Sequence, residues 1–90
     1  MFTEKDFVFN RVDKNDGHID YWFDTTPDSD EKLLHEYGEM GCEHVFEVVY
    51  SADEDVVGIK RQFRFNWDVV LSKDENLKDF FRALVTKIKS

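Results

Sequence analysis

The sequence is poor in the residues that staple, break or anchor a chain. A single cysteine, Cys42, among 90 residues cannot close an internal disulfide. The framework that small secreted domains rely on is therefore excluded, and a reducing, cytoplasmic setting is expected. One proline and four glycines leave no stretch of linker composition, and no low-complexity segment occurs. No apolar run is longer than three residues, as in Val69, Val70 and Leu71, whereas a membrane-crossing helix needs about 20. Without a basic-then-apolar leader, the chain is expected to be soluble, unexported and free of membrane contact.

What the chain has in quantity is charge and aromatic rings. Its length predicts one domain, 1–90. A single modest core is expected, burying roughly 60–65% of the surface that the unfolded chain exposes. Twenty acidic residues against 12 basic ones give a net charge of -8, and 16% of the residues are aromatic. Disordered acidic chains are poor in aromatics, so this one is expected to fold.

The apolar pattern predicts an α+β protein of order ββα-ββα. Its four-stranded, largely antiparallel sheet carries two helices packed on one face. Residues 7–12 and 18–24 are β-branched and aromatic runs around Asp13-Lys14-Asn15-Asp16-Gly17, a hairpin signal. In the second run Ile19, Tyr21 and Phe23 alternate with His18, Asp20, Trp22 and Asp24, which gives one core face and one wet face. Pro27 ends that strand, and Asp28 with Glu31 resembles a capping box. A helix is predicted from about 29 to 40, with Leu33, Leu34, Tyr37 and Met40 as its stripe, Gly38 as an internal weakness and Gly41 as its stop. Residues 44–50 and 58–67 read as the third and fourth strands, joined across Asp53-Glu54-Asp55. In the fourth, Ile59, Arg61, Phe63, Phe65 and Trp67 alternate with Lys60, Gln62, Arg64 and Asn66. Ser72-x-x-Glu75 is a second capping box. Behind it Leu77, Phe80, Phe81, Leu84, Val85 and Ile88 fall on one helical face. Val8-Phe9 and Asp30-Glu31-Lys32-Leu33 echo Val45-Phe46 and Asp74-Glu75-Asn76-Leu77, a faint trace of a repeat whose offsets differ by about seven residues.

Chemical constellations are few. Asp13-x-Asn15-Asp16-Gly17-x-Ile19 approaches a calcium loop, but its glycine falls one position early and strands flank it, so a turn is the expected reading. His18, His35, Cys42 and His44 supply only one closely spaced pair of soft ligands, too few for a structural zinc site. A Cys42–His44 nucleophilic couple would need electropositive surroundings, and Glu39, Glu43 and Glu47 provide the opposite. Acid/base catalysis needs a carboxyl of raised pKa in a cleft, and no acid is marked by its pattern as buried. Phosphate-binding glycine loops, nucleophile elbows and dinucleotide fingerprints are missing. No enzymatic activity and no cofactor or metal are expected.

Charge placement is the remaining clue. Through Asp55, 16 acids stand against four bases, a balance of -12; from residue 56 onward four acids meet eight bases, a balance of +4. If the strands were neighbours, Asp20 and Asp24 would pair with Lys60 and Arg64 across the wet face. A solvated face is one meaning of such an acid run. The sharper one is a protein-binding surface of Asp13, Asp16, Asp20, Asp24, Asp28, Asp30 and Glu31 anchored by Trp22. Such a surface would dock on a basic protein, nucleic-acid-binding proteins among them. The chain would then be a small inhibitor or regulator, with mimicry of nucleic-acid phosphates as the sharpest form of that reading. In composition alone the chain resembles small, acidic, aromatic-rich α+β proteins of phages and mobile elements, with no shared motif and no residue carried over. The alternative is a homo-oligomeric domain whose acidic half meets the basic half of another copy. Direct nucleic-acid binding through Lys60, Arg61, Arg64, Phe63, Phe65 and Trp67 is disfavoured by the net charge and by an alternation that sets Lys60 and Arg64 opposite the rings.

Overall fold

Asp16 and Gly17 both adopt left-handed backbone angles, φ 50° and 82°, the geometry a two-residue hairpin loop requires. They join β1 (Phe7–Asn15) to β2 (His18–Thr25), with Asn15 paired to His18 and a bulge between Phe9 and Arg11. Helix α1 (Pro27–Tyr37) follows, then β3 (Phe46–Ser51), β4 (Val56–Phe63), β5 (Asn66–Leu71) and helix α2 (Glu75–Lys89), in a computed structural model that describes residues 2–90. A short 3-10 turn, Glu4–Asp6, precedes β1. The sheet is a five-stranded antiparallel meander in the order β1-β2-β3-β4-β5. Both helices bury their stripes against one of its faces. Leu33 of α1 and Leu77, Phe81 and Val85 of α2 share a core with Phe7, Tyr21, Phe23, Phe46, Val48, Tyr50, Val57 and Ile59. Among the described residues, no helix is long and apolar enough to cross a membrane.

The α+β class, the hairpin and both helices on one face agree with the sequence pattern; the count of four strands does not. The predicted strand 58–67 is a second hairpin, β4 and β5, turning at Arg64 and Phe65 with Phe63 paired to Asn66. Arg64 holds φ 49° without being glycine. The order is thus ββα-βββα. The turn also reverses the expected facing, because Trp67, opposite Gln62, joins the Lys60 face instead of the Phe63 face.

Helix boundaries shift for identifiable reasons. Thr26, not Asp28, caps α1: its Oγ1 accepts from the Ser29 amide, and Ser29 Oγ accepts from the Thr26 amide. Pro27, whose missing N–H costs nothing at the first helical position, opens the helix. The helix stops at Tyr37, so Gly38 is its C-cap and Met40 is fully exposed beyond it. Asp74, whose carboxylate accepts from the amides of Asn76 and Leu77, caps α2 where Ser72 was expected.

Three acids of the first half of the chain meet bases of the second half within the molecule. Lys87 reaches Glu4 at 2.6 Å, Arg82 reaches Asp55 at 2.5 Å, and Arg61 lies 3.6 Å from Glu39. Arg82 and the donated Tyr50 hydroxyl hold the Asp55 carboxyl down to about 2. This cluster ties the β3–β4 turn to α2. Arg61 is buried on the core face, where it grips Asp68 through Nε at 2.8 Å and Nη2 at 3.0 Å and donates to the carbonyl of Tyr37.

Candidate binding face

With both helices on one side, the other side of the sheet is bare, and strand alternation decides what it carries. Cross-strand partners share a face. Arg11 opposite Trp22, Trp22 opposite Val49, and Val49 opposite Gly58 therefore define this face across four strands. Asp13 lies opposite Asp20, and Asp24 opposite Glu47. On β4 and β5 the face continues through Lys60, Val69, Trp67 and Leu71.

Glycine at position 58 has a definite reason. A Cβ there would stand 2.9 Å from a methyl of Val49 and 2.9 Å from one of Val69. Its absence lets the two valines close over the strand into a level apolar floor. Around that floor the two indoles carry cations. Arg11 lies 4.9 Å from the Trp22 ring, and Lys60 sits between Trp22 and Trp67, at 5.5 and 4.9 Å. Lys60, expected on the face opposite Trp67, is instead held between Trp67 and Trp22.

The eight residues expected to bind a partner do not form one surface. Asp13, Asp20, Trp22 and Asp24 share the bare face. Asp16 is at the hairpin tip, and Asp28, Asp30 and Glu31 are on α1, in the other layer. Asp30 is engaged locally: it accepts from the Thr25 hydroxyl, and burial pushes its carboxyl above the ordinary range. Asp20 accepts from Ser51 at 2.8 Å, and Asp24 accepts from Asn10 at 3.0 Å. The expected pairing of Asp20 and Asp24 with Lys60 and Arg64 does not form, because β3 lies between β2 and β4. Glu47 joins this face although sequence reasoning placed it only near Cys42; strand order was the missing information.

One other cluster comes from the hairpin ends. His18 Nδ1 lies 2.8 Å from Asp53, whose other oxygen accepts from the Ile19 amide at 3.0 Å. Glu54 completes an exposed group of potential ligand atoms with them, but the His18 and Asp53 atoms are already satisfied by each other. Their hydrogen bond raises the His18 pKa above its ordinary 6.5, aided by the charge of Asp53. The Ile19 amide, with the imidazole second, lowers Asp53. This link favours the protonated imidazole, so its contribution is complete below about pH 6.5 and disappears as pH rises through the raised value. An NMR titration of the imidazole should therefore give a His18 midpoint above 6.5 that Asp53→Asn returns to the ordinary range; equal midpoints in the two proteins would disprove the link. Between α1 and α2 a shallow cleft of about 500 Å³ is lined by Phe2, Glu36, Asp74, Asn76, Leu77 and Phe80.

Comparison of the chain with protein families, with curated proteins and with solved structures finds no match.

Proposed function

We propose that this protein is a small non-enzymatic binding protein, an inhibitor or regulator, that uses the β1–β3 part of its bare sheet face to hold a basic segment of a partner protein. One observation carries the reading: two pairs of like charges, Asp13 with Asp20 and Asp24 with Glu47, stand directly opposite one another on either side of Trp22. Like charges directly opposite one another destabilise a sheet. Departures from local consistency of this kind concentrate where a surface serves a ligand. Lysine or arginine side chains of a partner would lie between the carboxylates and relieve the repulsion, with Trp22 and Val49 as the apolar floor beneath. Arg11, which pairs with Asp13 at 3.1 Å, and Lys60, which stands directly opposite Glu47, are folded over the indole and are the cations an incoming one would replace. The division of the acids between two layers favours this compact site over the long row that phosphate mimicry requires.

The test compares the wild type with a variant carrying Asp20→Asn, Asp24→Asn and Glu47→Gln as baits. The expected result is that basic proteins captured by the wild type, and released as salt rises, are lost by the variant. The variant should be slightly more stable, because the opposed charges are gone. Retention of the same proteins by this folded variant would refute the proposal.

A further inference from the structure

The two edges of the sheet are built differently. The β1 edge has a bulge after Phe9 and carries Arg11, Asp13 and Lys14, devices that discourage strand pairing. The β5 edge has neither. Its six residues, Asn66–Leu71, contain one charge, Asp68, already engaged by Arg61, and end in the apolar run Val69, Val70, Leu71. Trp67, Val69 and Leu71 are 44%, 50% and 61% exposed.

The ladder shows which backbone groups are unused. The Ser72 amide donates to Val57 at 2.8 Å, so Ser72 and, by alternation, Val70 and Asp68 are the residues whose backbone faces β4. The N–H and C=O groups of Trp67, Val69 and Leu71 therefore point outward, and the side chains of the same three residues lie on the bare face. We infer that β5 is the dimerisation edge of this protein. It pairs antiparallel with β5 of a second copy about a two-fold axis through Val69.

This register is self-complementary. It sets Val69 opposite its own copy and Trp67 opposite Leu71 of the second copy. Each of these pairs exchanges both N–H···O bonds and adds an apolar cross-strand contact. On the other face Asp68 meets Val70, with its charge still held by Arg61. The two five-stranded sheets become one, and the contact is isologous, so it closes at two copies. The inference does not rest on the proposed partner site, which uses β1, β2 and β3, and the two can fail separately.

A ladder of this length falls below about 1,200 Å² of buried surface, so the dimer is weak and concentration-dependent. Each copy carries -8; raising salt screens that repulsion and should tighten the dimer. A contact between acidic and basic halves would loosen instead. The experiment is sedimentation equilibrium from roughly 10 µM to roughly 1 mM, the range in which weak interfaces titrate. The wild type should pass from monomer to dimer. Val69→Pro removes an outward N–H without touching β4, and Val69→Lys adds an edge charge; each should weaken association about tenfold or more. In a Cys42→Ser background, Val69→Cys should cross-link on oxidation by diamide. Its Cα lies about 5.5 Å from its mate in this register. Trp67→Cys, roughly 13 Å from its mate along the strands, should not. A wild type monomeric throughout, a dimer that dissociates with salt, or cross-linking through position 67 instead of 69 would each overturn the inference.

Discussion

Phe81→Ala should remove about 3–5 kcal/mol of folding stability, the range for deleting a fully buried aromatic side chain. Phe81 has no exposed surface. Its ring lies 4.8 Å from Phe7, 5.2 Å from Phe23 and 5.2 Å from Phe80, so it touches the first strand, the second strand and the preceding residue of its own helix. These contacts join segments far apart in the sequence. A helix backbone cannot collapse into the resulting hole without pulling Leu77 and Val85 out of the same core. A small domain has about 5–15 kcal/mol in total, so the variant should lose a large share of its stability. Urea denaturation of the wild type, Phe81→Ala and Phe65→Ala measures this. Phe65 is 92% exposed at the β4–β5 turn, and its loss should change stability by no more than about 0.5 kcal/mol. Comparable midpoints for the two variants would mean that Phe81 is not the centre of the core.

Sequence periodicity made the strong elements legible and left their relations obscure. Helix α2 could be read because six apolar residues repeat at helical spacing, and the structure buries or half-buries all six. The first hairpin could be read because Asp16 and Gly17 favour the backbone angles its loop needs. The second hairpin could not. Arg64 and Phe65 carry no turn signal, and Arg64 is driven to φ 49° by the pairing on either side of it. An alternation read straight through that turn put Trp67 on the wrong face and hid its contact with Lys60. The candidate site was half visible for a related reason. Period two predicts that Asp20, Trp22 and Asp24 share a face. Only strand order reveals that Asp24 faces Glu47, that Asp13 faces Asp20, and that α1 carries Asp28, Asp30 and Glu31 away to the other layer.

Leu33→Ala should cost about 2–5 kcal/mol, with consequences unlike those at Phe81. Helix α1 has 11 residues and only two buried ones, Ser29 and Leu33. Isolated helices of that length are marginal in water, so α1 depends on the core for its helicity, through Leu33 first and the half-buried Leu34 and Tyr37 beside it. Ser29 cannot substitute for it, since its hydroxyl is committed to the cap with Thr26. Once Leu33 is truncated, the contacts that hang on α1 lose their support. These are the 2.7 Å bond between the Tyr37 and Ser72 hydroxyls, the Tyr37 carbonyl accepting from Arg61, and Lys32 at 3.1 Å from the buried Asp6. Burial pushes the Asp6 carboxyl up, but the Thr3 amide and Lys32 hold it below the ordinary range; its stabilising share is therefore present above about pH 4 and lost as pH falls through the lowered value. Native-state hydrogen exchange resolves the outcome. Amides of α1 in Leu33→Ala should exchange through a local opening well below the global barrier, while those of β3 and β4 still report the whole-molecule transition. Uniform acceleration across α1, β3 and β4 would show instead that α1 unfolds only with the sheet, and that Leu33 is part of the cooperative core.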